Sequence, residues 1–171
     1  MKALDPATAR TLALCADDFG LAPGISAGIV RLARARRLTA VSCITNSPHW
    51  ETSAPLLATL PASVDTGLHI NLTEGRPLSM RLAKLWPRLP ALPALIVRAH
   101  LGLLPRAELR SEVHAQLAAF RAATGAAPKL LENLNYYRQR LFYDEKKFSD
   151  FSNSRNYTDS LSFHFGTRYE N

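Results

Sequence analysis

Three short, β-rich apolar runs separated by two helical stretches constrain this chain more than any other feature. The runs are Thr11 to Ala16, Thr39 to Thr45 and Val64 to Leu72. Between the first two, Ile25, Ile29 and Leu32 recur at helical spacing, so Gly24 to Arg37 reads as an amphipathic helix. After the second run, Ser47 is placed to cap a helix and Pro48 to occupy its first position. That helix extends to about Leu60, and Pro61 ends it. Strands alternating with helices in this way give βαβ units, and hence a parallel sheet with right-handed crossovers. In such folds active sites gather at the C-terminal ends of the strands.

The first strand ends in Ala16-Asp17-Asp18-Phe19-Gly20. Two adjacent carboxylates there repel each other and lose solvation, so a metal, a proton or basic neighbours must compensate. With a metal, one carboxylate can ligate the ion while the other takes a proton from water. The competing reading makes one Asp a helix cap and leaves the other in solvent. The third strand ends in Gly67-Leu68-His69-Ile70-Asn71-Leu72-Thr73-Glu74-Gly75. His69 near that end is placed either as a neutral imidazole ligand or as a hydrogen-bonded core residue.

Taken together the two stretches resemble the YdjC/ChbG carbohydrate deacetylases. The resemblance rests on Ala-Asp-Asp-Phe-Gly-Leu-x-Pro-Gly, then Gly-Leu-His-Ile-Asn-Leu-Thr-Glu-Gly about fifty residues later, with Leu38 to Ser42 and Asn46 between them. It covers roughly residues 10 to 128. It implies a distorted (β/α) barrel that removes acetyl groups from N-acetylated sugars, such as chitin oligosaccharides, with a divalent metal. By motif position it implies that Asp17 is the general base and that Asp18 and His69 are metal ligands.

The chain has 171 residues, which suggests one domain but is short for a complete barrel of ~250 residues. The net charge of +7 invites a nucleic-acid reading. It is set aside because the arginines are scattered. Their one small group (Arg31, Arg34, Arg36 and Arg37) falls at a helix C-terminus, where cations suit the dipole. Cys15 and Cys43 fall inside strands and read as small buried hydrophobes, not as a metal site or a disulfide framework. The apolar run after Arg10 is too short for a signal peptide or a membrane span. A cytoplasmic protein without membrane or nucleic-acid partners is the expectation.

Glu74 to Leu92 contains Pro77, Pro87 and Pro90, so it cannot be one regular element. Trp86 within it suits either a sugar-binding lip or a hydrophobic plug. Pro93 to Leu104 reads as a short helix, and His100 is assigned no role. Pro105 opens the most regular helix, with Leu109, Val113, Leu117 and Phe120 as its buried stripe. Glu108, Arg110, Glu112, His114 and Gln116 fall largely off that stripe, His114 on the solvated face. Gly125 caps the helix, and Lys129 to Asn133 is a presumed fourth strand.

After Pro128 the composition changes. Residues 1 to 128 contain 25 alanines and residues 129 to 171 none, while ten of the 14 aromatics lie in that tail. The chain therefore divides into a deacetylase-like body, 1–128, and a divergent tail, 129–171, that is not a separate domain. The family's third motif, Asp-Gly-His-x-His, should begin near the junction. Here Leu131-Glu132-Asn133-Leu134-Asn135-Tyr136 stands in its place, and neither Leu134 nor Tyr136 can replace an imidazole. Glu132 and, more remotely, His164 are the candidate substitutes. A frame-shifted or truncated product, a fusion or sequencing artefact, and a divergent member with a rebuilt C-terminus all fit, the composition break favouring the first two. An incomplete barrel would also expose strand edges and apolar faces, which predicts self-association.

The expected chemistry is metal-assisted amide hydrolysis of an N-acetylated oligosaccharide. Catalytic zinc usually has three protein ligands, so a site with Asp18 and His69 alone suits a water-rich Mg²⁺ better, with Zn²⁺ as the other choice. The rival expectation is an inactive pseudo-deacetylase that at most binds a sugar or a partner chain.

Overall fold

The computed structural model describes residues 14–132. Four parallel strands, β1 (Cys15–Phe19), β2 (Ala40–Cys43), β3 (Asp65–His69) and β4 (Leu131–Glu132), form one sheet in the order β1-β2-β3-β4. Five α-helices lie between them: α1 (Pro23–Arg34), α2 (Trp50–Ser53), α3 (Met80–Leu85), α4 (Leu92–His100) and α5 (Arg106–Thr124). The expected βαβαβ unit and parallel sheet are present. All four residues of β2 are buried, as expected for a strand covered on both faces.

The apolar residues of the sheet meet those of the helices in one core. Phe19, Val41, Cys43 and Leu68 from β1, β2 and β3 are fully buried with Leu109 and Phe120 from α5. The Phe120 ring stacks on Trp50 of α2, with centroids 6.5 Å apart. The expected α5 stripe is buried throughout, and Gly125 ends the helix at φ 70°. That left-handed conformation suits glycine because it has no Cβ to clash.

Several boundaries differ from expectation for local reasons. The second helix is only one α-turn, continued by a 3-10 segment, Ala54–Thr59. Pro55 explains the change, since it has no N–H to donate to the carbonyl of Glu51 and its ring crowds that carbonyl. Ser47 does not cap the helix. Its hydroxyl accepts from the N–H of His49 and organises the turn before it. The first helix stops at Arg34, and Arg36 beyond it adopts φ 56°. Trp86 is a plug, not a lip: it sits 9% exposed in the core with the Arg98 guanidinium 5.2 Å from its ring centroid. The Pro-punctuated segment contains α3, capped by Ser79, whose hydroxyl accepts from Leu82 N–H.

The largest correction concerns β1. It does not end before the aspartates but runs through them to Phe19. Ala16 pairs with Val41 and Phe19 with Cys43, so β1 carries one more residue than β2 over this interval. Such an extra residue is a β-bulge. Phe19 is fully buried, and its carbonyl accepts from Ile44 N–H at 2.8 Å. Core packing thus pulls the chain back into register beyond the bulge.

Candidate active site

The bulge decides how the two aspartates are presented. In a regular strand, neighbouring side chains point to opposite faces. Asp17 and Asp18 would then be separated by the sheet. Instead Asp18 adopts φ 65°, a left-handed conformation that Asp tolerates better than most residues. Leu21 N–H closes the turn onto the Asp18 carbonyl at 3.0 Å. Gly20 follows at φ 92°, and a Cβ there would come within 2.8 Å of the Ile44 carbonyl oxygen. The Asp-Asp-Phe-Gly sequence therefore matches the backbone: an αL-tolerant residue, a core anchor, and a residue that only glycine can be.

Both carboxylates consequently reach one cluster at the C-terminal end of the sheet. Ser42 of β2 donates its hydroxyl to Asp17 Oδ1 at 3.1 Å. Ser42 Oγ also lies 3.2 Å from His69 Nδ1. His69 Nε2 lies 3.9 Å from Asp18 Oδ1. Ser42 is fully buried and His69 nearly so, whereas the Asp18 side chain is 45% exposed. The register explains the placement. Ser42 pairs with Gly67, and His69 is two residues further along β3, so Ser42 and His69 share a sheet face. The cluster is rooted in the strands on one side and open to solvent at Asp18 on the other.

These three sequence candidates, Asp17, Asp18 and His69, thus come together. Glu132 is the register partner of His69 on β4. Leu134, Tyr136 and His164 lie outside the described residues. Among the described residues, no group of three His, Cys, Asp or Glu side chains is arranged to hold a metal. The Asp18 Oδ1 to His69 Nε2 distance of 3.9 Å is too long for a direct hydrogen bond. Two donors ~2.1 Å from a common cation stand ~3.4 Å apart at a tetrahedral angle and ~3.0 Å apart at an octahedral one, so this pair would have to close by about half an ångström or more to hold one ion.

A second polar cluster supports the loops around the site, and reading the sequence by periodicity misplaced it. Glu112 and Gln116, expected largely off the buried stripe of α5, are both fully buried. Glu112 accepts from Leu78 N–H, Ser79 N–H and the Gln116 amide at 2.8–3.1 Å. Gln116 brackets the backbone of Asn71, accepting from its N–H at 3.1 Å and donating to its carbonyl at 2.7 Å. The Asn71 side chain donates to Asn46 Oδ1 and to the Glu74 carbonyl, and accepts from Thr73 and Glu74 N–H. The loops that follow β2 and β3 are therefore tied to each other and to α5. The sequence signal for this was the i, i+4 spacing of Glu112 and Gln116 beside the apolar stripe, which also fits a solvated face. His114 and His100 are exposed, the latter with Nδ1 2.9 Å from the Ile96 carbonyl.

Cys43 is buried against this sheet and its thiol pKa is pushed far above the usual value by desolvation. It is packing, not chemistry.

The family model described as YdjC-like protein matches residues 11–133. The chain belongs to the YdjC-like family. It is 37% identical over 123 residues to a human carbohydrate deacetylase, covering 68% of this chain and 38% of that protein. It is 32% identical over 135 residues to a Proteus mirabilis chitooligosaccharide deacetylase, covering 73% of this chain and 49% of that protein. The chain thus spans half or less of the length of these relatives. A solved structure of an Enterococcus faecalis protein, proposed to act in cellobiose-phosphate cleavage, superposes with a TM-score of 0.58 at 21% identity. It covers 70% of this chain and 46% of that one, and the likeness is one of fold.

Proposed function

We propose that this YdjC-like chain carries the first half of a distorted (β/α) barrel whose site hydrolyses the N-acetyl group of a carbohydrate. The observation that carries this reading is the convergence of Asp17, Asp18 and His69 through the β1 bulge and Ser42. Relatives named as carbohydrate and chitooligosaccharide deacetylases support the substrate class.

In this reading a water oxygen adds to the acetyl carbonyl carbon, and the C–N bond breaks as its nitrogen takes up a proton, releasing acetate and the sugar amine. Asp17, with one carboxylate oxygen held by Ser42, takes a proton from the attacking water. Asp18 and His69 would hold a divalent ion, Mg²⁺ or Zn²⁺, through Oδ1 and Nε2. When bound, such an ion polarises the acetyl carbonyl and stabilises the negative charge that develops on its oxygen. The buried network of Asn46, Asn71, Gln116 and Glu112 keeps the loops at the strand ends from drifting away from this pair.

A second reading is favoured by one specific feature. Leu134 and Tyr136 stand where the family motif has histidines, so the third ligand of the site is replaced. Under that reading the chain is a pseudo-deacetylase. Acetate release from N,N′-diacetylchitobiose, with Mg²⁺, with Zn²⁺ and with chelator, separates the two. Metal-dependent turnover that Asp17→Asn lowers by about 10²–10⁴-fold supports the deacetylase. No metal-dependent turnover in the unaltered chain supports the pseudo-enzyme.

A further inference from the structure

Residues 75–107 run from the loop after β3 through α3 and α4 to the start of α5, and their surface differs from the rest of the described chain. They carry six Lys and Arg and no Asp or Glu. All six cations are exposed. Among the described residues, seven of the ten exposed large hydrophobic side chains lie in the same segment, Leu101 and Leu103 each at 65%. A hydrogen-bonded turn holds these two leucines in place. After α4, Leu103 N–H donates to the Arg98 carbonyl at 2.9 Å and Gly102 N–H to the Ala99 carbonyl at 3.2 Å, with Gly102 at φ 70°. This is a Schellman cap, in which the residue after the glycine frequently packs back on the last turn of the helix. Here Arg98 occupies the receiving position with its guanidinium over the Trp86 ring, and Leu103 stays in solvent. Val97, also exposed and one helical turn before Leu101, extends the apolar edge.

We propose that this basic, apolar segment docks on an anionic lipid surface. Exposed apolar residues gathered in this way mark an interaction site, and the charge decides what occupies it. A twofold contact between copies of the chain would set these cations against each other, which costs stability. An anionic bilayer attracts each of them, and its headgroup–acyl boundary accepts the leucines. Arg81 is paired with Glu108 and Arg98 lies over Trp86. Arg76, Lys84, Arg88 and Arg106 make no ion pair among the described residues and are available to lipid phosphates. Two leucines displayed on a turn enter a fluid interface as they stand, whereas a protein partner would need a pocket shaped for them. No helix among the described residues is long and apolar enough to cross a membrane. A surface contact needs none, so the lack of a spanning segment, on which the expectation of no membrane partner rests, does not exclude it. The proposal is independent of the deacetylase reading.

The test is co-sedimentation of the full chain with vesicles of phosphatidylcholine alone and of phosphatidylcholine mixed with phosphatidylglycerol. The chain should sediment with the mixed vesicles and not with the neutral ones. Binding should weaken in about 1 M salt, where the Debye length falls to ~3 Å. Leu101→Ser with Leu103→Ser should weaken it about tenfold or more, the loss expected when two leucines no longer leave water. Lys84→Glu with Arg88→Glu should weaken binding to the mixed vesicles as well. Ile25→Ser with Leu32→Ser, which alters exposed apolar residues on α1, should leave it unchanged. All of these side chains are exposed, and circular dichroism checks that each variant keeps the fold. No sedimentation with the mixed vesicles overturns the proposal, as does equal binding to both kinds of vesicle. Binding that the leucine pair does not affect overturns it too. Self-association that the leucine pair abolishes, without vesicle binding, makes a second copy the occupant and overturns the lipid surface.

Discussion

The molecule has two polar clusters a few residues apart along β2 and β3, and they are built on opposite principles. Around Glu112, Gln116, Asn71 and Asn46, donors and acceptors are matched: each carboxylate oxygen, amide and backbone group in the cluster meets a partner of the other kind. At Asp17, Asp18, Ser42 and His69, two carboxylates and an imidazole gather around one hydroxyl, and the cluster opens to solvent at Asp18. The first arrangement gains by burial, because each hydrogen bond strengthens in a low dielectric. The second stays open to solvent at Asp18, whose side chain is 45% exposed. Burial of polar groups does not by itself distinguish the two clusters; access to solvent does.

Four substitutions sharpen that contrast, in decreasing order of effect. Asp17→Asn keeps the shape of the side chain but removes the proposed base, so deacetylation falls about 10²–10⁴-fold while stability changes little. Acetate assay and urea denaturation on the same sample check both halves. Glu112→Ala does the reverse. It leaves the Ser79 N–H and one Gln116 amide hydrogen without their acceptor in a buried place, and the Leu78 N–H without its acceptor in a part-buried one. Each such loss costs about 1–3 kcal/mol, so unfolding free energy should drop by about 3 kcal/mol or more. Asp18→Gly should raise unfolding free energy by about 1 kcal/mol, since glycine adopts φ 65° without the Cβ clash. Metal binding should be lost in the same variant. A site residue whose removal stabilises the fold is the pattern expected where function, not folding, selects the residue. Lys129→Ala breaks the pair with Asp65 at 2.6 Å, but both side chains are about half exposed or more, so the change should stay below ~1 kcal/mol.

Cys43 gives a pH-dependent check on the core. Its thiol is favoured in the protonated form in the folded protein, above an ordinary value of 9.0. The folded state therefore holds a proton that the unfolded chain releases. The associated stability is complete below pH 9 and declines as pH rises beyond it. Iodoacetamide should accordingly leave Cys43 unlabelled until the protein unfolds.

Periodicity and motif spacing were enough to read the parallel βαβαβ order, the apolar stripe of α5, the Gly125 cap and the three candidate residues. Three things escaped, two of them because a tertiary contact overrode a local pattern. The β1 bulge was invisible because Asp-Asp-Phe-Gly reads as the loop after a strand, whereas burial of Phe19 keeps it in the sheet. The break at Pro55 interrupts the single helix expected from Pro48 to about Leu60, because a proline inside a helix removes an N–H donor. Glu112 and Gln116 read as solvated because charge and amide normally face water. Here the N–H groups at the start of α3 and the backbone of Asn71 supply what water would. Ser42 and Asn46 lay within the matching stretch around the second strand, but their roles depend on partners 25 residues or more away.

Whether Asp18 and His69 together hold a divalent cation, as proposed, is read by calorimetric titration of the full chain with Mg²⁺ and then Zn²⁺, with His69→Ala beside it. Saturable one-site binding to the unaltered chain should disappear in the variant. Binding of equal strength to both proteins, or none to either, would contradict it.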